Sequence, residues 1–184
     1  MKKTVIRFGV MSGAIMSLIM ITTMPFADSI SWDTAEIVGY TIIVLSFLLV
    51  FFGVRSYRDN AGNGTITFKQ GLKVGILITL ISCVFYVATW EVLYFNFYPD
   101  FMDKYSDHVI QELRASGASP ETVEAKVQEM NLLKVRYQNP LFNIGVTLLE
   151  PLPIGVVATF LSAALLRKRR GRPPVGAVVM APHE

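Results

Sequence analysis

The sequence predicts an all-α integral membrane protein. It has four transmembrane helices and an extracytoplasmic amphipathic helical hairpin between spans 3 and 4. Three observations lead there. Apolar residues make up 52% of the 184 and charged residues only 17%, whereas a soluble domain carries about 25% charged residues. The apolar residues gather in four long runs. The basic residues gather at the ends of those runs, mostly on one side.

A helix needs about 20 apolar residues to cross the hydrocarbon core. The runs extend from about Ile6 to Met24, Ile37 to Val54, Leu72 to Phe97 and Leu141 to Leu166. Lys2, Lys3 and Arg7 open the first. Arg55, Arg58, Lys69 and Lys73 stand between the second and third. Arg167, Lys168, Arg169, Arg170 and Arg172 follow the fourth. The segment from Pro25 to Glu36 has no basic residue and carries Asp28, Asp33 and Glu36. Lys and Arg mark the cytoplasmic side. Both termini are therefore expected in the cytoplasm, with the first and third loops outside. The start also resembles a secretory signal, with a basic end, an apolar run and Ala27. Pro25 would then occupy a position that wants a small residue, and the run is long for a signal. Retention of the first span is expected, and the direction of the other three does not depend on it.

Within the first span Gly9, Gly13 and Ser17 recur every four residues, and Gly71, Gly75 and Thr79 repeat that spacing in the third. Small residues so placed let helices approach closely in lipid, so packing inside the bundle is expected. Trp32, Trp90, Tyr94 and Tyr98 fall near the predicted outer boundary and fit an aromatic belt. The loop Asp59-Asn-Ala-Gly-Asn-Gly64 reads as a turn. It lacks the Gly-Lys-Ser/Thr ending of a phosphate loop.

The segment of about 98–138 is too polar for lipid yet patterned. Phe101, Tyr105, Val109 and Leu113 recur every four residues, as on one helix face. Gly117 supplies a C-terminal cap. Ser119-Pro120-Glu121 reads as an N-cap, a proline at the first helical position and an acid at the positive helix end. Val123, Val127 and Met130 begin a second stripe. Two helices joined by a short turn should lie on the lipid, cap the bundle or meet a partner. His108 sits among Asp103, Asp107 and Glu112, but only Glu112 shares its face. One histidine and one carboxylate are too few for zinc, so no metal site is expected.

The single cysteine, Cys83, lies in an apolar run, which excludes an internal disulfide. The pI of 9.0 arises from basic residues at membrane edges, which argues against nucleic acid as a partner. Arg167, Lys168, Arg169 and Arg170 anchor topology and suit anionic lipid. Residues 171–184 contain three prolines and no periodicity, so a disordered cytoplasmic tail is expected.

Two carboxylates fall inside spans. Glu150 lies nine residues into the fourth, roughly 13 Å of helix, and Glu91 six residues from the outer end of the third, roughly 9 Å. Both belong to the outer half of the bilayer, with no Lys, Arg or His at that depth in any span. An ionised carboxylate is costly there. It must be protonated, or a cation or water-filled cavity must hold its charge. Protonating an ordinary glutamate at pH 7 costs only about 3.7 kcal/mol. Pro151 and Pro153 stand beside Glu150. Lacking N–H groups, they free the carbonyls of Thr147 and Leu149, which need other partners in lipid. A carboxylate beside freed carbonyls is one way transporters build cation sites. The plainer expectation is a kink whose glutamate bonds neighbouring hydroxyls, such as that of Thr147. Glu91, next to Trp90, would reach outward to the interface.

Four stretches in order carry a resemblance. Phe68-Lys-Gln-Gly-Leu-Lys-Val-Gly75 opens the third span and Tyr98-Pro-Asp-Phe101 closes it. Gly117-Ala-Ser-Pro-Glu121 starts the second outer helix, and Leu149-Glu-Pro-Leu-Pro-Ile-Gly155 interrupts the fourth span. Together they resemble a bacterial membrane family known as domain of unknown function 4199, over about residues 4–168. The resemblance implies four spans in a bacterial inner membrane and transfers no catalytic residue or cofactor.

The expectation for function is a non-enzymatic, multi-pass membrane protein with a binding or assembly role. The alternative is a small oligomeric transporter or a proton- or cation-responsive protein that uses Glu150, with Glu91, Thr147, Pro151 and Pro153 nearby. Four spans are few for a transporter monomer, so this alternative requires a homo-oligomer. No acid–base pair, metal cluster or activated nucleophile suggests an enzyme.

Overall fold

In a computed structural model, residues 1–29 and 31–168 are described. The helices are α1 (Lys2–Thr23), α2 (Trp32–Ala61), α3 (Phe68–Asn96), α4 (Phe101–Ala115), α5 (Pro120–Tyr137), α6 (Pro140–Leu148) and α7 (Pro151–Leu166), with a 3-10 helix at Met24–Ser29. Four segments are long and apolar enough to cross a membrane: Lys2–Phe26, Trp32–Ala61, Phe68–Asn96 and Pro140–Leu166. The protein is a multi-pass membrane protein. The expected tail at 171–184 lies outside the described residues.

Local chemistry sets the helix starts. Ser31 caps α2, accepting from the Thr34 N–H at 3.3 Å. Thr67 and Gln70 form a reciprocal capping box on α3. Ser119 caps α5, with Pro120 in its first turn. Asn139 caps α6, accepting from the Leu141 N–H at 3.0 Å. Gly117 has a φ of +77° and ends α4, a conformation that favours glycine. The glycine-rich turn begins later than its sequence suggests, because Asp59, Asn60 and Ala61 continue α2.

The spans alternate in direction. Gly9 and Gly13 of α1 meet Ile81 and Phe85 of α3, so these two run parallel. Gly71, Gly75 and Thr79 of α3 meet Ala163, Thr159 and Gly155 of α7, so these run antiparallel. The small-residue rows thus serve the bundle itself. A core of Met16, Ile43, Phe47, Val50, Val54, Val74 and Ile78 fills the middle. Cys83 is buried there. Hydroxyls tie the helices together: Ser12 donates to the Ser46 carbonyl at 3.0 Å, and Thr79 and Thr159 bond at 3.1 Å.

Helices α4 and α5 form the expected hairpin and cap one end of the bundle. Their Met102, Met130 and Tyr137 pack with Trp90 and Tyr94 of α3. This corrects the aromatic-belt expectation, because Trp90 and Tyr94 are buried under the hairpin rather than set in a lipid interface. The phasing of α4 also differs. Met102 and Val109 pack into the Trp90–Tyr94 cluster and Ser106 is buried, Tyr105 and His108 gather on Trp32, and Phe101 touches both Trp32 and Trp90. His108 stacks on Trp32 with ring centroids 5.3 Å apart and is half-buried rather than solvated.

Candidate functional site

Glu150 lies where the fourth span changes from α6 to α7. The two prolines cause that break. Deprived of a helical donor by Pro151, the Thr147 carbonyl accepts instead from the Glu150 N–H at 3.4 Å. Leu149 and Glu150 both keep right-handed helical dihedrals. The interruption is therefore a kink with missing hydrogen bonds, not an unwound stretch.

The hydroxyl that reaches Glu150 comes from Tyr86 on α3, which donates to Oε2 at 2.5 Å. Thr147 is engaged elsewhere. Its Oγ1 donates to Asn143 Oδ1 at 3.1 Å. Asn143 is buried in α6, and its Nδ2 donates to the Tyr137 carbonyl at 3.4 Å. Trp90 Nε1–H donates to the Tyr137 hydroxyl at 3.1 Å. This network runs from the hairpin base into the kinked span. From α2, Glu36 and Tyr40 lie close enough to interact electrostatically with Glu150. Asp33, Glu36 and Tyr40 also line an open surface strip along the N-terminal half of α2.

Glu91 belongs to a different place. It is five residues from Tyr86 along α3, about 140° around the helix. The residue is partly buried, and its Oε1 is buried without a hydrogen-bond partner. The structure thus brings Glu150, Thr147 and Pro151 into one region and leaves Glu91 outside it. Pro151 is buried and Pro153 exposed. Among the described residues, no group of three or more His, Cys, Asp or Glu is placed to hold a metal. Arg167 and Lys168 are exposed beyond α7. Arg169 and Arg170 lie outside the described residues.

Sequence reasoning missed Tyr86, Glu36, Tyr40, Asn143 and Tyr137. Asn143 carried a readable signal, as an amide in an apolar run four residues before Thr147. Tyr86 and Tyr137 carried none, because their partners lie 64 and 47 residues away.

The family described as "Protein of unknown function (DUF4199)" matches residues 7–168. The chain belongs to the DUF4199 family. No curated protein and no solved structure matches it. The DUF4199 match takes in the first span from Arg7 onward, the other three spans, the hairpin and the Glu150 kink. It ends at Lys168, as the described residues do.

Proposed function

We propose that this DUF4199 protein is a non-enzymatic component of the bacterial inner membrane that acts by assembly. Both termini face the cytoplasm and the α4–α5 hairpin lies outside. One observation carries the reading. The hairpin is locked onto the bundle at Trp90 and Tyr137, yet the last turns of α5 display Leu132 and Val135 at 53% and 72% exposure. A rigid mount with an apolar row suits recognition by a second copy. Val135→Cys in native membranes, treated with a bismaleimide, should give a species of twice the monomer mass. Lys126→Cys, about two and a half turns earlier on the opposite face of α5, should not. A monomer band alone from Val135→Cys would overturn assembly through this face.

A second reading is favoured by Glu36 and Tyr40 lying within electrostatic reach of Glu150, with no Lys, Arg or His at that depth in any span. On this reading the kink senses a proton or a cation. A ligand that binds the native state stabilises it by mass action. Thermal stability of the purified protein across pH and across Na⁺, K⁺, Mg²⁺ and Ca²⁺ should then shift in wild type but not in Glu150→Gln. Tyr86→Phe should blunt the shift. Identical responses from wild type and Glu150→Gln would make Glu150 a structural residue of the kink.

A further inference from the structure

Away from the hairpin, Arg55 on α2 is exposed, and the ends of the other three spans also carry exposed basic side chains. These are Lys2, Lys3 and Arg7 on α1, Lys69 and Lys73 on α3, and Arg167 and Lys168 after α7. Asp59 is the acid of this rim and is occupied by Arg55 at 3.7 Å and Arg58 at 2.7 Å. Positive charge at this membrane edge is ordinary, but its arrangement at the α3–α7 seam is not.

Two backbone hydrogen bonds, both 3.0 Å, join Ile66 to Lys168. They tie the chain leaving α7 to the chain entering α3. Gly71 against Ala163 continues the contact one turn inward. Lys69 and Arg167 are therefore held at the same end of one seam. Helical spacing then fixes what lies beneath them. Taking the α7-facing row of α3 as zero, Lys69 and Ile76 sit about 100–120° to one side. Taking the α3-facing row of α7 as zero, Val156 and Phe160 sit about 60–100° to a side. For antiparallel helices these are the same side. The Phe68 and Phe160 rings, 6.2 Å apart, place Phe160 beside the start of α3, next to Lys69 in sequence. Ile76, Val156 and Phe160 are 38%, 37% and 48% exposed along the groove on that side. The groove thus has cationic ends at the membrane edge and an apolar floor running inward.

We infer that this α3–α7 groove seats an anionic phospholipid, with its phosphate on Lys69 and Arg167 and an acyl chain along Phe160, Ile76 and Val156. Charge alone would suit a soluble phosphate equally well. The apolar continuation directly below the charges selects the lipid.

The test uses the full chain in detergent with added phosphatidylglycerol. Bound lipid is counted by native mass spectrometry, and thermal unfolding is followed in parallel. Phosphatidylglycerol should be retained and raise the unfolding temperature. Phosphatidylcholine and glycerol phosphate at equal concentration should do neither. Each basic residue near an anionic surface contributes roughly fivefold in affinity, so Lys69→Gln/Arg167→Gln should bind about 25-fold more weakly. Lys126→Gln/Arg136→Gln, on the hairpin, should bind as wild type does. If the double variant does not fold, salt gives the answer on the unaltered protein. At about 1 M salt, where the screening length is about 3 Å, the phosphatidylglycerol shift should collapse. Equal retention of phosphatidylcholine, an unaltered affinity in Lys69→Gln/Arg167→Gln, or a shift reproduced by glycerol phosphate would each overturn the assignment.

Discussion

Gly155→Leu is expected to prevent the bundle from assembling. Even the first added carbon would collide with Thr79 Cγ2 and lie 2.8 and 2.9 Å from the Phe47 ring. Phe47 and Thr79 are themselves buried and have no room to yield. The same seam is tight along its length: a Cβ on Gly75 would lie 2.6 Å from Thr159 Cγ2, and one on Gly71 3.1 Å from Ala163 Cα. In lipid, helices gain little from burying apolar surface, so close packing of small residues and hydrogen bonds between helices hold them together. Thr79 supplies both, donating at 3.3 Å to the Gly155 carbonyl. Overpacking a core costs about 1–3 kcal/mol in tolerant sites and more where backbones must separate. The leucine variant should lose the monodisperse peak in fluorescence-detected size exclusion, and Gly155→Ala should retain part of it. Gly145→Leu is the control, because nothing lies within 4 Å of its added carbon. A Gly155→Leu protein as stable as wild type would mean that α3 and α7 do not meet in this register.

The difference between those two glycines shows what the sequence reveals and what it hides. Span count follows from hydropathy because lipid imposes one requirement on every residue of a run. The hairpin is legible because its signals are local: Ser119 and Pro120 start α5, and Gly117 ends α4. Gly71 and Gly75 announce close packing by their spacing, and Gly155 with Thr159 and Ala163 repeats it, but that these two rows meet each other appears only when α7 lies against α3. Trp90 and Tyr94 sit at the depth of an aromatic belt. Only the return of Tyr137 from the far end of the hairpin makes them a buried cap. Glu150 is conspicuous as an acid between apolar runs, while its donor Tyr86 is one tyrosine among seven. Local rules thus give elements and their ends. The identity of a partner across helices depends on register, which a single chain of residues does not display.

Register matters most where the hairpin meets the bundle, and Trp90→Ala should release it. Trp90 is 8% exposed, packs edge-on against Phe101 at 4.8 Å and stacks on Tyr94 at 6.0 Å. It also donates to the Tyr137 hydroxyl. Truncating a buried aromatic costs about 3–5 kcal/mol. Here that loss falls on the contact between cap and spans, so local opening should rise by at least about a hundredfold. Limited proteolysis in vesicles should then cut within residues 98–138 far sooner than in wild type, while the apolar spans stay protected. Trp90→Phe keeps most of the area and loses one hydrogen bond, so its effect should be nearer about 1 kcal/mol. Alkali offers an independent route to the same contact. Burial pushes the Tyr137 phenol above its usual value of 10.0, outweighing the Trp90 N–H bond that favours the phenolate. An acid whose folded value is raised lends stability that is complete below its unfolded value and lost as pH rises toward the folded one. Cleavage of the wild-type hairpin should therefore accelerate above about pH 10, and Tyr137→Phe should remove that acceleration. Cleavage spread evenly through hairpin and spans in Trp90→Ala would instead mean that Trp90 supports the whole bundle and that the cap has no separate opening.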